Sequence, residues 1–206
     1  MIKYLRMIVV LSAITLLSGF ALGGLNELTH ETVENNKLKF KKIPAVASIY
    51  EAIDGKLTAE KRTALEETLL AEKKYVDVGE EEKVLLFVIK KDDKPFAVTF
   101  ERFGQGFGGS LGVMAGFNLA TNDLMGAGIT TLSETPGVGT RVTEISFTKQ
   151  FSSMKRNAIF KVKKDGGDID GVSGATVSSR AVANAINQAN DFYTKNQSKI
   201  KEALTR

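Results

Sequence analysis

VLLFVIK, Val84–Lys90, is a continuous apolar run of strand length. Asp92-Asp93-Lys94-Pro95 follows it as a turn signal. Phe96–Phe103, Ser110–Phe117 and Leu124–Leu132 then read as three more strands, with Asn122-Asp123 between the last two. Four strands at hairpin spacing predict an antiparallel sheet. Short helices near Thr143–Phe151 and at the C-terminus are expected to cover it, giving an α+β domain. The chain has no internal repeat and no low-complexity tract.

Before the strands, Thr58–Tyr75 is rich in Ala, Glu, Lys and Leu and predicts a helix with Leu65 and Leu69 on one face. Asn26 to about Lys42 is polar with sparse apolar positions and reads as a juxtamembrane helix or stalk. Met7–Leu25 carries no charge, and at helical rise it spans roughly 28 Å, close to the hydrocarbon thickness of a bilayer. Lys3 and Arg6 precede this run; Glu27, Glu31 and Glu34 follow it. That asymmetry puts the N-terminus in the cytoplasm and everything after residue 28 outside. A cleaved signal peptide is the competing reading, with Ala21-Leu22-Gly23 as a small-x-small site. The length of the apolar run favours a retained anchor. The expected division is residues 1–28 as cytoplasmic tip and anchor, 29–80 as a juxtamembrane helical region, and 81–206 as the functional domain.

Composition removes whole classes of chemistry. With no Cys, the chain holds no disulfide, no Cys-ligated zinc and no iron–sulfur cluster of its own. His30 is the only histidine, so no His-based metal site or Ser-His-Asp triad is available. No catalytic acid–base pair and no metal site is expected. The net charge of +4 is shared between the N-terminal segment and a nearly neutral remainder, which leaves no nucleic-acid footprint. Any redox role must rest on a bound organic cofactor.

Three glycine-bearing segments surround the strands. Gly104-Gln105-Gly106-Phe107-Gly108-Gly109 lacks the strand-to-helix context of a dinucleotide fingerprint, because it joins two expected strands. It reads as a hairpin loop, or as a loop whose backbone must approach a flat ligand. Ser133-Glu134-Thr135-Pro136-Gly137-Val138-Gly139 follows the fourth strand and contains a Pro-Gly turn. About forty residues on comes Asp170-Gly171-Val172-Ser173-Gly174-Ala175-Thr176, then Val177-Ser178-Ser179. Val182, Ala185, Ile186, Ala189 and Tyr193 recur at helical spacing and predict a helix over about 176–196, with Ser173 or Thr176 as N-cap. A helix start suits a phosphate group. The hydroxyls of Ser178 and Ser179 and the charge of Arg180 are expected to add to it.

Taken together, D-x-x-S-G-A-T, E-T-P-G-[apolar]-G and the glycine loop, in this order, resemble the FMN-binding domain family. That family is shared by the G subunit (RnfG) of the Rnf electron-transport complex and the C subunit of the sodium-translocating NADH:quinone reductase. The likeness extends to the anchor and to Asn26-Glu27-Leu28-Thr29, and the short length fits RnfG better. The resemblance implies an extracytoplasmic FMN-binding domain behind a single transmembrane helix in the inner membrane. It implies FMN bound through a phosphoester to Thr176, which makes the chain a phosphoprotein. Ser173, Gly174, Ala175, Ser178, Ser179, Glu134, Thr135, Gly137, Val138, Gly108 and Gly109 are the further cofactor-binding candidates.

The ring is implied to pack between Thr135 and Val138, where the family commonly has Leu in place of Val138. Glu134 either orients its loop or faces solvent. The implied role is an electron-transfer subunit of an ion-translocating ferredoxin:NAD⁺ oxidoreductase, not catalytic alone. Its implied partners are the other membrane subunits and, during maturation, a flavin transferase. The alternatives are a stand-alone membrane-tethered flavoprotein, the quinone-reductase component, or a non-redox domain in which Thr176 merely caps a helix.

Overall fold

The computed structural model describes residues 2–79, 83–91, 94–155 and 157–205. The chain divides into two compact units, Met1–Phe40 and Lys41–Arg206. The first unit is built on helix α1, Ile2–Lys37, which has no buried residue. Its apolar part is long and apolar enough to cross a membrane. The polar residues from Asn26 to Lys37 continue the same helix.

A π-helical turn, Leu38–Lys42, leads into α2, Ile43–Asp54, and then α3, Ala59–Ala71. Thr58 starts α3 by accepting a hydrogen bond from the Lys61 N–H at 3.4 Å. Five strands follow: β1 Lys74–Val76, β2 Val84–Lys91, β3 Lys94–Gln105, β4 Ser110–Asn118 and β5 Leu124–Thr131. They pair in chain order, each antiparallel to the next. The expected turn at Asp92-Asp93 lies outside the described residues, but Lys91 pairs with Lys94 across it. Strand β1 was hidden in the sequence: helical composition carries on to Tyr75, whereas α3 stops at Ala71.

The continuous apolar runs are explained by helices on both faces of the sheet. Val98, Phe100, Val113, Ala115 and Phe117 join one core with the last helix, α5, Thr176–Thr205. Val182, Ala185, Ile186, Ala189 and Tyr193 of α5 are all buried there, the face that helical spacing predicted. Phe117 stacks on Tyr193 with ring centroids 4.6 Å apart. Glycines on the opposite face admit α2. A Cβ on Gly128 would lie 2.6 Å from the Ala45 carbonyl oxygen, and one on Gly116 would lie 3.0 Å from Ile49. Lys42 Nζ pairs with the Glu101 carboxylate at 2.9 Å, and Thr130 donates to the same carboxylate. Between β5 and α5 run a 3₁₀ turn at Gly139–Thr143, the short α4 at Ile145–Thr148, and 3₁₀ turns at Lys149–Ser153 and Lys163–Asp165. α5 runs past the expected 196 to Thr205, with a break in helical geometry at Asn196.

Candidate functional site

The meander places the β3–β4 loop beside the chain leaving β5, and α5 brings its first turn to both. Gly106 N–H donates to the Gly109 carbonyl at 2.9 Å, which closes the β3–β4 turn. The loop is therefore a hairpin turn, as the strand pattern indicated. Its backbone lies hard against the segment after β5, so that a Cβ on Gly108 would collide with the Ser133 carbonyl.

Glu134 joins the three segments. It is 9% exposed. Oε1 accepts from the Gly108 N–H at 3.3 Å, and Oε2 accepts from the Ser178 hydroxyl at 2.6 Å. One carboxylate thus ties the glycine loop, the E-T-P-G turn and the first turn of α5. Glycine at 106 and 139 makes room for it. A Cβ on Gly139 would stand 2.5 Å from Oε2, and one on Gly106 would collide with Oε1. Of the two sequence readings of Glu134, the structure selects the orienting one.

The loop that leads into α5 is held from beneath. Ser179, fully buried, accepts from the Val172 N–H at 2.9 Å and donates to the Ala175 carbonyl at 2.9 Å. Gly174 has φ +82°, a left-handed conformation that an L side chain rarely adopts, and Gly137 has φ +73° in the E-T-P-G turn. The first bond of α5 runs from Ser179 N–H to Ala175 carbonyl. The N–H groups of Thr176, Val177 and Ser178 precede it and have no acceptor within the helix.

Two expectations change here. Among the described residues neither the Ser173 nor the Thr176 hydroxyl caps α5, because Ala175 occupies the capping position and Ser179 closes the loop. The hydroxyl protons of Ser178 and Ser179 are directed to Glu134 and Ala175, not outward. Arg180 is likewise committed, donating to Asp165 through Nε at 2.6 Å and Nη2 at 2.7 Å. That bidentate bond holds the Asp165 carboxyl below its ordinary range and raises Arg180.

A cavity of about 300 Å³ opens where the segments meet, at the lower end of the range for small-ligand sites. Of the candidates, Glu134, Thr135, Val138, Gly174, Ala175, Thr176 and Ser178 line it. Gly108, Gly109, Gly137, Ser173 and Ser179 are not among its lining residues. Phe107, Gly139 and Val177 complete the wall and were not singled out from the sequence. Phe107, Val138 and Val177 leave 77%, 46% and 43% of their surfaces exposed, an apolar surface that a flat ring would cover. An aromatic between two glycines of a tight loop was the signal for Phe107. An apolar surface, unpaired helix N–H groups and a hydroxyl on one cavity fit a flavin, a phosphate and a phosphoester acceptor respectively. The residues present therefore suit FMN.

Residues 106–191 match the FMN-binding domain family. The chain is 33% identical to the G subunit of the ion-translocating oxidoreductase complex of Salmonella typhi over 111 residues, 50% of this chain and 53% of that one. It is 31% identical to the protein of the same name from Shewanella amazonensis over 127 residues, 58% and 59% of the two chains. The match spans little more than half the length of these curated relatives. The fold is similar to that of the C subunit of the Na⁺-translocating NADH-quinone reductase from Parabacteroides distasonis. That superposition has a TM-score of 0.57 at 22% identity, covering 72% of this chain and 88% of the other. The stretch that matches the FMN-binding domain family, residues 106–191, holds the glycine loop, the Glu134 turn and the start of α5.

Proposed function

We propose that this chain is the electron-transfer subunit of an Rnf-type ion-translocating ferredoxin:NAD⁺ oxidoreductase complex, and that it holds FMN by a phosphoester to Thr176. The observation that carries this reading is the Glu134 bridge. It draws the three flavin-family segments around one apolar-walled cavity with Thr176 at its edge. The names of the curated relatives support the complex, and the apolar helix supports a membrane anchor.

When bound, FMN supplies one- and two-electron chemistry. The chain's own residues do the rest. Thr176 Oγ1 would hold the phosphate as a phosphoester, with a flavin transferase supplying the attachment. The free N–H groups of Thr176, Val177 and Ser178, with the helix dipole behind them, would receive the phosphate's charge. Phe107, Val138 and Val177 would shield the ring from water. Lys3 and Arg6 hold the N-terminus in the cytoplasm, which sets the flavin domain on the other side.

The test is intact-mass analysis and in-gel fluorescence of the full chain produced with a flavin transferase. One FMN per chain is expected, lost entirely in Thr176→Ala. Fluorescence persisting in that variant would place the flavin elsewhere, and a wild-type chain of unmodified mass would refute the covalent reading.

A further inference from the structure

The expected phosphate partners are all engaged elsewhere. Ser178 donates to Glu134, Ser179 to Ala175, and Arg180 to Asp165. A covalently held phosphoryl group beside the helix start keeps a negative charge, and the N–H groups of one helix turn carry only partial charge. One cation among the described residues is hydrogen-bonded to the 171–176 loop. Arg141 Nη1 donates to the Ser173 carbonyl at 3.3 Å.

Arg141 sits two residues after the E-T-P-G-V-G motif, in the 3₁₀ turn Gly139–Thr143. That turn is fixed on one side by the Gly137 N–H donating to Thr140 Oγ1 at 2.9 Å. It is fixed on the other by Val142, fully buried in the core. The backbone at 141 is thus anchored while the side chain stays 45% exposed. Its second partner is the Glu144 carboxylate, at 3.4 Å from Nε and 50% exposed, a surface pair of little strength. A guanidinium carries five N–H donors, and these two contacts leave donors over for an anion.

We propose that Arg141 is the counter-cation of the flavin phosphate. It bridges the E-T-P-G turn to the attachment loop and presents its remaining N–H groups to the phosphoryl oxygens. The proposal rests on the reading of this cavity as the FMN site. It adds a residue outside the recognised motifs. It also assigns specificity: the site distinguishes FMN from riboflavin through Arg141.

The test uses the full chain in detergent with Thr176→Ala as background, so that binding is reversible. FMN and riboflavin are titrated separately by flavin fluorescence. FMN should bind about tenfold more tightly than riboflavin, the scale of a charge-assisted pair. Arg141→Gln should remove most of that ratio and leave riboflavin affinity unchanged; Arg141→Lys should keep part of it. An equal ratio in Arg141→Gln overturns the proposal, as does an absence of FMN preference or of FMN binding with Arg141 intact. A fall in both affinities together would reduce Arg141 to a strap for the loop and equally overturn it. Failure of Thr176 to carry flavin in the wild-type chain is read separately by mass and would refute the covalent reading alone.

Discussion

At the scale of single residues, Glu134 has the most to hold. Truncating it strands the buried Ser178 hydroxyl and the Gly108 N–H. Glu134→Ala should cost about 1–3 kcal/mol of stability and sharply reduce flavin loading. Glu134→Gln, which keeps an acceptor, should cost less. Denaturant melts with flavin fluorescence separate the two effects. Thr176 makes the opposite prediction. Its hydroxyl caps nothing, so Thr176→Ala should stay within about 0.5 kcal/mol of wild type in the unflavinylated chain. Val138→Asp places a charge on the exposed apolar wall. It should shift the flavin spectrum or midpoint potential without releasing the flavin, because the proposed attachment is at the phosphate end. An unchanged spectrum and potential would put the ring elsewhere.

At the scale of elements, the sheet depends on the close approach of α2. Gly128→Ala forces a methyl onto the Ala45 backbone at 2.6 Å and should cost about 1–3 kcal/mol. A glycine in α1 with open space around it, such as Gly23, should tolerate alanine with no loss. Thermal melts of the two variants compare them directly. α5 is fastened to the preceding loop by the Arg180–Asp165 pair. Asp165 titrates lower in the folded chain than its ordinary value of 3.8, so its contribution is present above that value. It is lost as pH falls through the lowered folded value. Asp165→Asn should therefore flatten the acid limb of the stability profile below about pH 4 and leave Arg180 charged throughout. An acid limb identical to wild type would show that the pair is not formed in solution.

For the whole molecule, the prediction concerns assembly and topology. The chain should purify from detergent-solubilised membranes with several integral subunits, and its mature N-terminus should include residues 2–25. A reporter at the C-terminus should be active only outside the cytoplasm. Thr176→Ala should stop electron flow through the assembly without dispersing it. A mature N-terminus near Gly24 would mean that the apolar segment of α1 is removed.

Much of this was legible because it is local. Continuous apolar runs between turn signals announced β2–β5, and helical spacing announced the buried face of α5. The E-T-P-G and S-G-A-T segments named the cofactor by resemblance. The tertiary structure decided what depends on distant partners. Strand β1 exists because β2 offers it an edge, and α2 docks because glycines at 116, 126 and 128 leave no side chains in its way. Glu134 became a bridge because folding set Gly108 and Ser178, 26 and 44 residues away in sequence, against one carboxylate. The same folding turned the protons of Ser178 and Ser179 inward and placed Arg141, rather than Arg180, against the Ser173 carbonyl. Spacing identifies which residues share a face. Which donor meets which acceptor is settled only when the segments are brought within hydrogen-bond reach.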